Sequence, residues 1–400
     1  MLVVQKYGGT SVGSLERIQN VANRVAKARD EGKDLVVVVS AMSGETNKLI
    51  EYAQYFSKNP SKREMDMLLS SGERVTAALL AIALQEMGYS AVALTGRQAG
   101  ITTDDTHTYA RINSISTDRI KNEIKFGSIV IVAGFQGINK NGEVTTLGRG
   151  GSDLSAVALA GALNADVCEI YSDVDGIYTT DPRIEPKAKK LDEISYEEML
   201  ELSSLGAKVL QNRSVELAKK MGVKLIAKSS FSDNEGTVIK KGENMEEVLV
   251  RGIALDKNQA RVSLRGVIDR PGIAAEIFTK LAESNIIVDM IIQNAGKDKT
   301  TNLGFTVPQN QLLEAKEVIE SLEEDIKSAD YDENVAKVSI VGIGMKSHSG
   351  VAATAFSALA KNGINIEMIS TSEIKVSMII DEKYAELAVK VLHETYNLDK

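Results

Sequence analysis

Residues 2–13 read LVVQKYGGTSVG. Leu2, Val3 and Val4 form the short apolar run of a buried strand. Two adjacent glycines, Gly8 and Gly9, end it, and Gly13 follows Thr10 and Ser11 by two residues or fewer of spacer. Ser14 then stands as an N-cap before apolar residues at helical spacing, Ile18, Val21, Ala22 and Val25. A strand therefore delivers Lys6 to a glycine-rich turn at a helix N-terminus. Such a turn suits a phosphate: bare N–H groups approach it, the helix dipole favours its charge, and the ammonium neutralises it. Taken alone, the stretch fits an ordinary strand–helix turn equally well.

A second glycine cluster adds to the first. Residues 145–153 read TTLGRGGSD, again ahead of a helical pattern at Leu154, Val157, Ala158 and Gly161. Gly148, Gly150 and Gly151 surround Arg149 and precede Ser152 and Asp153. Two such loops point to a site shared by a polyphosphate and a second anion. Neither is a Walker A loop or a Rossmann fingerprint, and the protein-kinase motifs H-R-D and D-F-G are absent.

Outward from these loops, strand-like and helical patterns alternate up to about residue 235. Strands are expected near 2–6, 34–40, 90–95, 128–134, 167–172 and 223–228, and helices near 14–31, 63–87, 153–164 and 207–220. Unbroken apolar strands such as residues 35–39 imply burial on both faces, hence a mostly parallel sheet between helix layers. Lys6, Ser40, Gly96 and Asp173 fall at or just after strand ends, where open α/β sheets bind ligands. Residues 232–247 are polar and read as a linker. Beyond them the pattern repeats at an offset of 78: Gly272, Ala274, Ala275, Phe278, Leu281, Ala282, Ile286, Met290 and Ile291 match Gly350, Ala352, Ala353, Phe356, Leu359, Ala360, Ile364, Met368 and Ile369.

Composition sets bounds. At 400 residues the chain is long for one core, so two or three domains are expected. A formal net charge of −8, with acids and bases interspersed, speaks against a nucleic-acid partner. The single cysteine, Cys168, excludes an intrachain disulfide and fits a reducing compartment. No secretory leader and no apolar run of membrane-spanning length are evident, so a cytoplasmic location without a membrane partner is expected. His107, His348 and His393 are scattered and form no metal-ligand spacing, and no protein metal ligand is assigned.

KYGGTSVG, the SGE at Ser71 to Glu73, LGRGGSD and DVDGIYTTDPR at Asp173 to Arg183 together resemble the motif set of the aspartate kinases. The resemblance implies a three-layer, mostly parallel α/β sheet (the amino-acid kinase fold) over residues 1–235 and a linker over 236–248. It further implies two α+β, ferredoxin-like ACT domains over 249–332 and 333–400. It implies transfer of the γ-phosphoryl of ATP, with Mg²⁺, to the β-carboxylate of L-aspartate. The product, 4-phospho-L-aspartate, would open lysine, threonine and methionine biosynthesis. A glutamate kinase on the same fold, or a sensor that has lost catalysis, are the alternatives. The tandem repeat speaks against the first, and intact Lys6, Glu73, Arg149 and Asp153 speak against the second.

By that resemblance Lys6 and Asp153 are catalytic. Thr46, Glu73, Arg149, Gly150, Gly151 and Ser152 hold the amino acid, although Thr46 also suits a helix N-cap. The nucleotide falls to Lys6, Tyr7, Gly8, Gly9, Ser40, Ser172, Asp173, Tyr178, Asp181, Arg183 and Lys208, with Gly8 and Gly9 offering N–H groups to phosphate. After Lys208 many relatives have His-Pro where this chain has Gln211 and Asn212. An inhibitor, lysine and/or threonine, is expected at Asp269, Gly272, Ile273, Ala274, Asp289, Gln293 and Asn294, closed by Met345, Asn365 and Glu367. The acids Asp269 and Asp289 favour lysine. Pairing through ACT domains implies a homo-oligomer, and Met245 is a candidate start for a separate regulatory chain.

Overall fold

The computed structural model describes residues 1–204, 210–242, 249–295, 299–322, 325–343, 345 and 350–400. Lys208 and Met245 lie outside the described residues. Two compact units are present. The first comprises Met1–Ile177, Lys190–Ser203 and the described part of Lys208–Asn244; the second comprises Tyr178–Lys189 and the described part of Met245–Lys400.

In the first unit eight strands form one sheet, in the order Glu193–Ser195, Thr237–Lys240, Leu225–Ser229, Val167–Ser172, Leu2–Tyr7, Asp34–Val39, Ile129–Ala133, Ala91–Leu94. Every pair is parallel except Leu225–Ser229 with Thr237–Lys240. The side-chain period of two divides the strands between two faces. Val3, Leu35, Val37, Val39, Ile129 and Ile131 share one core with Ile18, Val21 and Val25 of helix Leu15–Asp30 and with Leu80 and Leu84 of helix Ser71–Glu86. Val4, Val36, Val38, Val130 and Val132 are as fully buried on the opposite face. There helix Gly151–Leu163 lies against the strands Leu2–Tyr7, Asp34–Val39 and Val167–Ser172. That helix has eleven buried residues in thirteen, so the middle layer is covered on both sides. A smaller four-stranded sheet, in the order Ile112–Ile115, Ile101–Thr103, Gln136–Ile138, Val144–Thr146, leads directly into the second glycine loop.

Helices Lys62–Leu69 and Ser71–Glu86 form a continuous stretch that would suffice, by length and composition, to cross a bilayer. Its apolar side is instead spent on the core through Ala77, Leu80, Ala81 and Leu84.

In the second unit the sheet order is Asp289–Ala295, Thr300–Val307, Leu249–Ile268, Ile326–Ile343, Lys375–Asp381, Met368–Thr371. The two long strands are antiparallel and each serves two cores. Ala260, Val262 and Leu264 pack with helix Ile273–Glu283, whereas Ile253, Val338 and Ile340 pack with helices Gly350–Lys361 and Ala385–Thr395. The first half of Leu249–Ile268 thus joins the second repeat rather than the first. Register shifts between Asp256 and Arg261 mark the handover.

The strand ends are locked by close backbone approach. A Cβ placed on Gly96 would lie 2.1 Å from the carbonyl oxygen of Gln136. Gly96→Ala should therefore destabilise the chain by about 1–3 kcal/mol, as overpacking does. The check is the midpoint of denaturant unfolding; an unchanged midpoint would contradict the packing described.

Candidate active site

Lys6 lies on the central strand, in register with Val38 on one side and Ile170 on the other. The chain continues from Leu2–Tyr7 to one neighbour and returns much later to the other, so a crevice opens at the carboxyl ends of these strands. Lys6 follows Val4 by two residues and so faces helix Gly151–Leu163. In the first turn of that helix Asp153 meets it, Nζ to Oδ1 2.6 Å, with each side chain 11% exposed. The same alternation turns Tyr7 the other way. Its ring is fully buried and stacks on Tyr171 at 4.7 Å, so the Tyr7 side chain, expected at the nucleotide, belongs to the core. Gly8 also differs from expectation: its N–H donates to the carbonyl of Tyr171 at 3.1 Å rather than standing free. A Cβ there would come within 3.4 Å of Lys6 Nζ, so Gly8 keeps the space beside the ammonium open. Ser40 and Ser172 end the flanking strands half-buried, and Asp173 is exposed. Ser14 caps the following helix through Arg17 N–H at 3.3 Å.

Glu73 is in the first turn of helix Ser71–Glu86 and is 4% exposed. Its Oε1 accepts the Ala41 N–H at 3.1 Å, while Oε2 is buried and has no hydrogen-bond partner among the described residues. Burial pushes its carboxyl up to about 7, against the lowering effect of the Ala41 N–H. A buried carboxylate with one free oxygen is suited to an incoming cation. Thr46 is half-buried in the first turn of helix Glu45–Phe56, whose cap is Gly44 rather than Thr46.

In the second loop Gly150 is the left-handed cap of helix Gly151–Leu163 at φ 70°, and Ser152 is buried. The Arg149 side chain is exposed and has no ion pair or hydrogen bond among the described residues. Three side chains that sequence reasoning did not place hold this loop. Asp66, fully buried, accepts from the Thr146 hydroxyl and the Thr108 N–H and lies 2.7 Å from His107 Nδ1. Arg213 donates to the Leu147 and Ala110 carbonyls, and Gln211 donates to the Arg149 carbonyl. Only Gln211 carried a signal, as a departure from the family pattern. Asn212 takes the first position of helix Asn212–Met221, where proline is also tolerated, so the helix survives the change.

Tyr178, Asp181 and Arg183 fall in Tyr178–Lys189, which packs as part of the second unit. Asp181 and Arg183 pair with each other, Nη2 to Oδ2 2.6 Å, which holds the Asp181 carboxyl below its usual range.

Within the second unit, Gly272 is the left-handed cap of helix Ile273–Glu283, with Asp269 exposed, Ile273 buried and Ala274 half-buried. Asn294 and Glu367 line a cavity of about 440 Å³ together with Arg261 and Arg265. Gln293 and Asn365 are exposed, and Met345 is buried in the core of the second repeat. Asp289 is not a free acid: the buried Lys337 ammonium pairs with it, and although burial opposes the effect its carboxyl stays below the usual range. Glu367 is likewise 3.0 Å from Arg261. The expectation that two free acids select lysine therefore loses Asp289.

Comparison with known proteins agrees with this architecture. Residues 1–228 match the amino acid kinase family, and residues 262–322 and 338–396 match the ACT domain. The chain belongs to the amino acid kinase family and carries a tandem of ACT domains. Aspartokinase from Helicobacter pylori strain J99 is 61% identical, with all of both chains covered. That from Geobacillus stearothermophilus is 53% identical over 99% of this chain and 97% of its own. E. coli aspartokinase III, solved with aspartate and ADP, superposes with TM-score 0.82 at 26% identity, covering 99% of each chain. Its form solved with lysine and aspartate superposes at 0.79, with 27% identity and all of each chain covered. Within the family, this chain is one of the aspartate kinases.

The Glu73 carboxyl couples folding to pH. Its folded pKa lies above the value of about 4.5 expected when unfolded, so the unfolded state ionises first as pH rises. Stability from this group is complete below about pH 4.5 and is lost by about pH 7, amounting to at most about 3 kcal/mol. Glu73→Gln keeps the acceptor for Ala41 and removes the titration. The variant should match the parent at pH 4 and exceed it in denaturant midpoint at pH 8. Parallel pH profiles would contradict the raised value.

Proposed function

We propose that this chain transfers the γ-phosphoryl group of ATP to the β-carboxylate of L-aspartate, forming 4-phospho-L-aspartate, under feedback control through its ACT domains. The observation that carries the reading is the buried Lys6–Asp153 pair at the carboxyl ends of the central strands. The relative solved with aspartate and ADP supports it.

A carboxylate acceptor is ionised at neutral pH and needs no strong base, so the work left to the protein is positioning and charge neutralisation. Lys6 supplies a positive charge to the phosphoryl oxygens, and Asp153 holds that ammonium in place. Glu73 receives the substrate ammonium on its unpartnered Oε2, and Arg149 grips a carboxylate with a fork that lysine lacks. Thr46, Gly150, Gly151 and Ser152 complete the acceptor side. Ser40, Gly8, Gly9, Ser172 and Asp173 shape the nucleotide side. Among the described residues no cluster of three His, Cys, Asp or Glu side chains could hold a metal ion. Asp153, a buried carboxylate beside Lys6, would help to hold a magnesium ion carried by the nucleotide phosphates, which would supply further charge neutralisation.

The reaction fits an ATP-using step of lysine, threonine and methionine biosynthesis in the cytoplasm. The effector is a free amino acid, lysine or threonine, held by the second unit, and the ACT domains pair between copies of the chain.

Lys6→Ala and Asp153→Ala should lower kcat by roughly 100-fold or more, because their contacts strengthen as charge shifts. Arg149→Ala should raise KM for aspartate by about tenfold or more and leave KM for ATP within a factor of about two. Steady-state ADP release at varied aspartate and ATP measures both. An Arg149→Ala enzyme of unchanged aspartate KM would remove Arg149 from the acceptor site.

A further inference from the structure

At Leu147 and Arg149 the carbonyls of the loop that carries Arg149 are gripped by the start of helix Asn212–Met221. Gln211 Nε2 donates to the Arg149 carbonyl at 2.7 Å. Two residues on, Arg213 Nη1 donates to the Leu147 carbonyl at 2.7 Å and Nη2 to the Ala110 carbonyl at 3.0 Å. The Arg213 guanidinium also lies over the Tyr109 ring, 4.5 Å from its centroid. Alternate carbonyls of the loop, at 147 and 149, are thus fixed by the two side chains at 211 and 213. Glycine is required where they meet: a Cβ on Gly150 would lie 2.1 Å from Gln211 Cγ, and φ is 70° there. The Gln211 side chain is not needed for the helix itself. Gln211 makes no side-chain cap to it, and its backbone carbonyl already receives Ser214 N–H and Val215 N–H.

A backbone carbonyl held at the α-carbon of Arg149 sets the direction in which its exposed side chain leaves the chain. We propose that Gln211 and Arg213 are positioning residues for acceptor recognition: they hold the Arg149 backbone so that its guanidinium meets the substrate carboxylate. The proposal rests on the reading that Arg149 binds that carboxylate. An unclamped loop would still place Asp153, which is anchored by the buried helix Gly151–Leu163, so the chemical step is spared and acceptor affinity is lost. This separates a positioning role from a general packing role, which would lower stability and affect both substrates.

The test uses the full-length enzyme. Gln211→Met keeps the length and volume of the side chain and removes its donor. It should raise KM for aspartate roughly fivefold to tenfold, the loss of one well-made hydrogen bond, with kcat and KM for ATP unchanged. Arg213→Lys, which cannot span two carbonyls, should do the same. In an Arg149→Ala background Gln211→Met should have no further effect on KM, because the cycle removes the group through which it acts. An unchanged aspartate KM in Gln211→Met, or equal rises for both substrates accompanied by a lower unfolding midpoint, would overturn the proposal while leaving Arg149 in the site. If Arg149→Ala itself leaves KM for aspartate unchanged, the reading of Arg149 fails and the proposal falls with it.

Discussion

The ion pair between Lys6 and Asp153 constrains the rest of the first unit. Two opposite charges, each nearly removed from water, are costly to bury, and removing one partner leaves the other uncompensated. The fold accepts that cost in the crevice between the central strands. Lys6 comes from the middle strand of the sheet and Asp153 from the first turn of the most buried helix, so neither can shift without moving a core element. Such a pair adds little to stability compared with an apolar replacement. On the proposed reading, its value is a cation kept fixed and dry where a phosphate is to be received.

Around that pair the polar groups are arranged by what they lack. Among the described residues, one oxygen of the buried Glu73 has no partner, and the exposed Arg149 guanidinium has none either. On the proposed reading, these opposite deficits match the two charged ends of an amino acid. The segment Tyr178–Lys189 is tied into the second unit by specific contacts. The Thr179 carbonyl accepts the Ile253 N–H at 2.7 Å, its hydroxyl is 2.9 Å from His393 Nε2, and Ile184 packs on the core of the second repeat. Residues expected to serve the nucleotide are thus built into the unit that holds the ACT domains.

Much of this was legible in the sequence because period and glycine placement leave few options. The apolar runs at Leu35 to Val39 and the glycine loops place the parallel sheet and its carboxyl edge. The same period of two that identifies the first strand also sends Tyr7 away from the site, which the motif alone conceals. Gly8 looked like a phosphate donor because glycine exposes its N–H, yet the neighbouring strand claims that group. The acidity of Asp289 suggested a ligand, but its partner Lys337 lies 48 residues away and on another strand, beyond any local pattern. Gln211 is the instructive case: motif comparison marks it only as a departure, and its role emerges from the carbonyl it meets across 62 residues. Likewise, the handover of Leu249–Ile268 between two cores depends on a register shift that composition does not reveal.

The central claim is that the Lys6–Asp153 crevice serves phosphoryl transfer onto an amino-acid carboxylate. Its most direct measurement is chemical identification of the product. The purified chain is incubated with ATP, Mg²⁺ and hydroxylamine, with aspartate or glutamate as acceptor, and the trapped hydroxamate is identified by mass spectrometry. The account predicts the β-hydroxamate of aspartate, formed in proportion to ADP, and none above background from glutamate. ADP release without an aspartyl hydroxamate, or preferential trapping of the glutamyl product, would contradict it.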